Sequence, residues 1–269
     1  MNCVVIMSVY KNDKLKYLKE ALESLYAQTI KEFDIFVQCD GKLPDELNDF
    51  LKLEYESKKI TFLNKRDENK GLAYSLNELL EIVLNKDYEY IARMDADDIS
   101  VNTRLEKQIE VMKKNIDIDV CGGYIEEFNM DTNQKQLIKY PELNEDILQG
   151  MKRRNSMAHV TTLIRRRFFI EVGLYDSTKF NEDMDLWIRG FQNNRKFYNI
   201  QETLVKVRTN NAFFNRRRNM QRALEVMKLK FKATRLFGFG YKGYAYAVAH
   251  FILFMLPGAI KQFIYRNMR

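Results

Sequence analysis

Residues 90–99 read Tyr-Ile-Ala-Arg-Met-Asp-Ala-Asp-Asp-Ile, closing an apolar run from Tyr88 to Met94 with three carboxylates, Asp95, Asp97 and Asp98. A short apolar run of this kind is a buried strand, and open α/β sheets bind their ligands beyond the carboxyl ends of such strands. Like charges this close repel one another and need either abundant water or a cation. Hard oxygen ligands favour Mg²⁺ or Mn²⁺, ions that commonly work with a phosphate bound on their open side. Short carboxylates also cap helices. Asp98 or Ser100 could cap a helix beginning near Asn102, which would account for one of the acids but leaves a surplus.

Outward from this stretch, residues 1–125 alternate apolar strands with amphipathic helices, the pattern of βαβ units and a largely parallel sheet. Strands are expected at Val4 to Val9, Phe33 to Gln38, Ile60 to Leu63 and Asp119 to Phe128, and helices at Leu15 to Gln28, Leu72 to Leu84 and 102–114. Tyr10, Asp40 and the acidic run then all stand at strand ends. The section 140–210 is more mixed, with a strand-like Val160 to Ile164, a turn Gly173-Leu174-Tyr175-Asp176, and Asn181-Glu182-Asp183-Met184-Asp185 leading into a helix. The only tryptophan, Trp187, follows that acidic group and would suit one wall of a sugar site, although Asn181 or Asp183 could equally be a helix cap.

With 269 residues, 46% hydrophobic and 30% charged, the chain is globular and long enough for one large α/β domain with an appendage. The net charge of +7 is too mild to require nucleic acid, and no nucleic-acid motif accompanies it. Cys3, Cys39 and Cys121 are odd in number, far apart and without metal-ligand spacing, as expected of reduced core residues in a cytosolic protein. The first ten residues read as a strand rather than a signal peptide.

Beyond residue 215 come Arg216-Arg217-Arg218, Arg222, Lys228, Lys230, Lys232, Arg235 and Lys242, with Met220, Leu224, Met227, Phe231 and Leu236 among them at helical spacing. This is a basic amphipathic helix suited to anionic lipid. The following stretch, Tyr244 to Ala259, lacks Asp, Glu, Lys and Arg but is shorter than the roughly 20 residues a span requires and is broken by Pro257-Gly258. An interfacial contact is expected, with packing on the domain or in a homodimer as the alternatives.

Taken in order, the motifs resemble the family 2 glycosyltransferases of the GT-A fold, inverting enzymes of bacterial surface-polysaccharide synthesis. The likeness runs through Val4 to Tyr10, Ser24 to Thr29, Phe33 to Gly41, Asn69 to Asn77, Asp95-Ala96-Asp97-Asp98 with Arg104 to Gln108, Gly173 to Asp176, and Glu182 to Trp187. It implies a Rossmann-like catalytic domain over 1–214, with residues 1–128 binding the nucleotide-sugar and 129–214 the acceptor, and a membrane-associating extension over 215–269. It further implies that Ser8 and Tyr10 line the nucleotide, that Asp40 accepts from the uracil imide, and that Asp95-Ala96-Asp97 is the DxD element, with Asp97 the first choice and Asp95 the second as ligands of Mn²⁺ or Mg²⁺. Asp98 would touch the donor sugar or cap the next helix. Asp183 is the expected general base, with Glu182 supporting it, and Asp185 is structural.

Departures matter too. Where the family has two aspartates and Gly-Ser after its second strand, this chain has Cys39-Asp40-Gly41-Lys42, and Leu76 stands where a basic residue is often found. Lys70 or Arg66 could supply that charge, or be a solvated surface residue. His159 either lines the site or is a hydrogen-bonded structural histidine, and at most one or two of Arg165, Arg166 and Arg167 could reach a phosphate. The function implied is transfer of Gal, Glc or GlcNAc from a UDP-sugar to a polyprenyl-diphosphate-linked saccharide, for O-antigen or capsule, at the cytoplasmic face of a bacterial inner membrane. The alternative is a non-catalytic membrane-surface protein on a retained nucleotide fold.

Overall fold

The computed structural model describes residues 2–209 and 220–255. Arg216-Arg217-Arg218, Pro257-Gly258 and the 214/215 boundary lie outside the described residues.

Nine strands form one mixed sheet in the order β3-β2-β1-β4-β8-β6-β9-β5, with β7 beside β6. The strands β1 (Cys3–Tyr10), β2 (Asp34–Asp40), β3 (Phe62–Lys65) and β4 (Tyr90–Asp95) run parallel. Helices α1 (Leu15–Tyr26), α2 (Asp45–Glu56) and α3 (Leu72–Leu84) connect them. β1 is buried on both faces: Cys3, Val5, Met7 and Val9 enter one core cluster and Val4 and Ile6 the other, as in a central strand of a doubly covered sheet. The α2 helix escapes the sequence reading, although Leu47 and Leu51 are buried at helical spacing behind Pro44 and the first-turn acids Asp45 and Glu46.

Past β4 the sheet is no longer simply parallel. β5 (Ile99–Ser100), α4 (Arg104–Lys114), β6 (Ile118–Asn129), β7 (Lys135–Ile138) and α5 (Asn144–Gly150) precede a 3₁₀ turn at His159–Thr161. Then come β8 (Leu163–Arg165), α6 (Arg166–Val172), α7 (Glu182–Gln192) and β9 (Lys196–Thr209). β8 runs antiparallel between β4 and β6, and β9 runs parallel to β6 but antiparallel to β5. The sheet therefore carries β9 back from the end of α7 to the acidic turn after β4.

Several motif residues turn out to be architectural. Gln28, fully buried, donates to the Val101 carbonyl and accepts from Leu105 N–H, fixing α1 to the segment after the acidic turn. Arg104 donates to the carbonyls of Arg93 and Thr162 and to Gln108, which in turn donates to those of Cys121 and Thr161. Asn77 on α3 both donates to and accepts from the backbone of Tyr175. Buried polar groups of this kind hold position only because each finds a partner. Arg165, Arg166 and Arg167 are likewise bound, to Glu89, the Leu84 carbonyl and Asp119.

The C-terminal helices α8 (Met220–Phe237) and α9 (Gly240–Met255) pack on each other, and α8 also packs on α7. No helix among the described residues is long and apolar enough to cross a membrane. The three cysteines are free and buried.

Candidate functional site

The strand register assembles the first group. Tyr10 pairs with Asp40, and Ser8 with both Gln38 and Asp95, so the ends of β2, β1 and β4 lie side by side. The Tyr10 N–H donates to Asp13 in the turn that leaves β1. Asp13 is a candidate site residue that the sequence reading missed. Burial pushes its carboxyl up to about 7 against the pull of that N–H, and the charges of Asp97 and Asp95 add to the rise.

Asp40 is held by the fold itself. Its carboxylate accepts from the Arg66 guanidinium, from Asn69, and from the backbone N–H groups of Lys70 and Gly71 at 2.8 and 3.0 Å. Four donors occupy its two oxygens, leaving no free acceptor for a uracil imide in this arrangement. The residue instead ties β2 to the loop before α3. Glycine is required twice here: Gly71 sits at φ +90, and Gly41, at φ +86, lets the Asn69 backbone come to within 2.9 Å of where a Cβ would be. Arg66 is not a solvated residue. Its side chain is 10% exposed, paired with Asp40 and Glu78 and stacked over Tyr74. Lys70 is exposed, with its ammonium 4.7 Å from the Tyr74 ring centre.

The acidic turn is built differently. Asp95, Asp97 and Asp98 each offer an oxygen within 4.8 Å of the others. Arg93, two residues before, forms a two-pronged pair with Asp95. Asp98 is 2% exposed and accepts from the Arg208 N–H of β9 at 2.8 Å. It caps nothing: the residue ahead of α4 is Thr103, and no side chain caps that helix. Arg208 also donates to the Asp97 carbonyl and pairs with Glu20. Ala96 is in the apolar core. Among the described residues Asp97 has no side-chain hydrogen bond to another residue, and burial followed by the Asp95 charge lifts it to about 6. Asp98 is pushed well up by burial and by both neighbours. A cluster whose members oppose one another's ionisation, made only of hard oxygen donors, fits a divalent cation.

A second acid pair lies across Arg93. Burial, then Asp183, raises the Glu182 carboxyl to about 7, while the charges of Arg93 and Arg222 lower it. The Asp183 carboxylate accepts from Asn155 at 2.6 Å and from the Met184 N–H. Arg93, 5% exposed, is paired with Asp95, and its charge also lowers the Glu182, Tyr175 and His159 pKa values. No sequence signal singled it out, because a cation inside an apolar strand looks like a break in the pattern rather than part of a site.

His159 Nε2 is 2.8 Å from the Tyr175 hydroxyl, and burial with the Arg93 charge keeps the ring neutral by lowering its pKa well below the usual value. Trp187 is not an open wall. It is 1% exposed, packed against Phe168, Phe197 and His159 in the core, with its indole N–H unpaired among the described residues. Asp185 is buried and pairs with Arg189 and Lys232. Asn181 precedes α7 without capping it by side chain. Glu225 of α8 accepts from the N–H groups of Phe180 and Asn181 there instead.

A mixed, mostly parallel sheet with helices on both faces and acids at the β4 end is the GT-A glycosyltransferase architecture. The family model described as glycosyl transferase family 2 matches residues 4–174, and the chain belongs to that family. It is a glycosyltransferase. An uncharacterized glycosyltransferase of Haemophilus influenzae is 32% identical over 238 residues, covering 86% of each chain. The Escherichia coli UDP-Gal:alpha-D-GlcNAc-diphosphoundecaprenol beta-1,3-galactosyltransferase is 27% identical over 98% of this chain and 94% of its own. In fold, the chain is similar to the mannosyltransferase PcManGT of Pyrobaculum calidifontis, solved with GDP-Man and Mn²⁺, at a TM-score of 0.63 and 13% identity over 99% of this chain and 80% of that one.

Proposed function

We propose that this chain is an inverting, metal-dependent hexosyltransferase that moves Gal, Glc or GlcNAc from a UDP-sugar to a polyprenyl-diphosphate-linked saccharide in O-antigen, capsule or related bacterial glycan synthesis. The observation that carries the reading is the turn after β4, where Asp95, Asp97 and Asp98 each bring an oxygen within 4.8 Å of the others and the buried Arg93 pairs with Asp95. The name of the Escherichia coli relative supports a UDP-sugar donor and a lipid-diphosphate acceptor.

In this reading Tyr10 and Ser8 lie along the nucleotide, while Asp40 acts through the loop it holds. Asp97, with Asp95 as second ligand, would hold a divalent cation, and the ion when bound would offset negative charge on the nucleoside diphosphate. Proton acceptance from the attacking hydroxyl falls to the Glu182 and Asp183 pair. Asp183, anchored by Asn155, is the base that the family resemblance implies. Glu182, lifted to about 7, is poised to share or relay the proton near neutral pH. The described residues 220–255 carry six cations against the single acid Glu225, and Tyr241, Tyr244, Val248 and Ile252 are exposed along α9. This supports attachment to the cytoplasmic membrane surface.

Purified protein incubated with a panel of UDP-sugars, Mn²⁺ and a GlcNAc-diphosphate-lipid should form a disaccharide-diphosphate-lipid with one donor. Folded protein that gives no product with any donor in the panel, while GDP-sugars are turned over on the same acceptor, would refute the UDP-sugar assignment.

A further inference from the structure

A surface depression lies away from the strand ends, on the two C-terminal helices. Phe231, Lys232, Arg235 and Leu236 of α8 and Tyr244 of α9 line this open depression of about 490 Å³. Its wall is of two kinds. Leu236 and Tyr244 are 43% and 41% exposed, and the Phe231 and Tyr244 rings meet edge to face at 5.1 Å. Lys232 and Arg235 add two cations to this apolar lining, and among the described residues no carboxylate pairs with Arg235. The helices approach closely because residue 243 is glycine, a Cβ there meeting Thr234 Oγ1 at 2.4 Å.

The cleft is also tied to the acid pair. Lys232 Nζ is 3.6 Å from Asp185 of α7, and Asp185 lies one helical turn from Glu182 on the same face, roughly 5 Å along the axis. Glu225, further back on α8, holds the backbone that enters α7. A diphosphate on Lys232 and Arg235 would therefore present its attached sugar toward Glu182 and Asp183, while a hydrocarbon chain would lie along Phe231, Leu236 and Tyr244.

We propose that this cleft between α8 and α9 binds the isoprenoid diphosphate end of the acceptor, with Arg235 and Lys232 on the diphosphate and the Phe231, Leu236 and Tyr244 wall on the first isoprene units. The proposal rests on the lipid-linked acceptor of the proposed function. It commits to that acceptor rather than to phospholipid headgroups because Lys232, which lines the depression with Arg235, reaches Asp185 on the helix that carries Glu182 and Asp183.

The test is binding without turnover. Farnesyl diphosphate is titrated by calorimetry into the full chain, in bilayer-free buffer with a chelator that removes any metal bridge to Asp97. Binding should be at least about tenfold weaker in Arg235→Ala, by loss of a charge-assisted bond, weaker again in R235E, and weakened in Tyr244→Ala. Inorganic pyrophosphate and farnesol, each carrying half the chemistry, should both bind more weakly than farnesyl diphosphate. Both substitutions fall on exposed helix positions, so folding checked by circular dichroism should be unchanged. Equal affinity of wild type and R235E, or pyrophosphate binding as tightly as farnesyl diphosphate, would overturn the proposal. So would undiminished farnesyl diphosphate binding in the presence of saturating phosphatidylglycerol vesicles that occupy Arg235. Because no donor is present, failure of every UDP-sugar to be transferred would leave this result readable.

Discussion

Asp40 ends β2 and Asp97 follows β4, parallel strands on either side of β1, yet the protein treats them in opposite ways. Asp40 is saturated by Arg66, Asn69 and two backbone N–H groups, so its charge is spent within the fold. Asp97 has no such partner among the described residues and is crowded by Asp95, Asp98 and Asp13. A carboxylate with four donors organises a loop; one left among other carboxylates is ready for an external cation. The same residue type at the same kind of position thus separates into scaffold and site according to its partners.

The largest effect expected from this contrast is on turnover. Asp97→Asn should lower metal-dependent transfer by about a thousandfold or more, the scale of losing an electrostatic stabiliser of a developing anion, with folding unimpaired in thermal melts. A wild-type rate would remove Asp97 from the site. Next, Asp183→Asn should lower kcat by about 10²- to 10⁴-fold while UDP binding by calorimetry survives.

The wild-type rate should also rise with pH through about 7, because the Glu182 carboxyl must lose its proton to accept one. That group faces Asp183 on α7, Arg93 on β4, Arg222 on α8 and Tyr175. In Glu182→Gln this limb should vanish, and a profile that keeps its midpoint would assign the titration elsewhere.

On stability the order reverses. Asp40→Asn should cost about 3 kcal/mol in urea unfolding, since it leaves Arg66 buried beside fewer charges. Asp13→Asn should instead stabilise the metal-free protein slightly. Asp13 has a raised folded pKa, so in wild type its ionisation costs stability progressively from about pH 4 to about pH 7 and fully above that. The gain from Asn should be absent below that window and constant above it. A Tm difference that does not change with pH would contradict the placement of Asp13 against the acids.

Much of this was legible in the chain. The βαβ half follows from apolar runs alternating with helical periodicity, and α3 falls at Leu72–Leu84, the expected residues. The acidic turn announces itself by composition. What could not be read is pairing across distance. Arg208 reaches the acidic turn only because β9 runs back beside β5 and β6, and β9 has no strong pattern of its own, with exposed Gln201 and Glu202 in its middle. Arg66 and Arg93 are cations whose burial depends on carboxylates placed by other elements or by a strand's pleat. Trp187 shows the converse: an aromatic beside carboxylates in sequence lies behind them in space, since helix α7 turns its Met184, Trp187 and Ile188 face into the core.

The most direct test is Mn²⁺ binding followed by electron paramagnetic resonance of the free ion, in wild type, D97N and D40N. Mn²⁺ at a hundred times its Kd should add about 2.7 kcal/mol to wild-type stability. The expected result is one site in wild type, lost in D97N and retained in D40N despite its weaker fold. Retention in D97N with loss in folded D40N would contradict the division between the two strand ends.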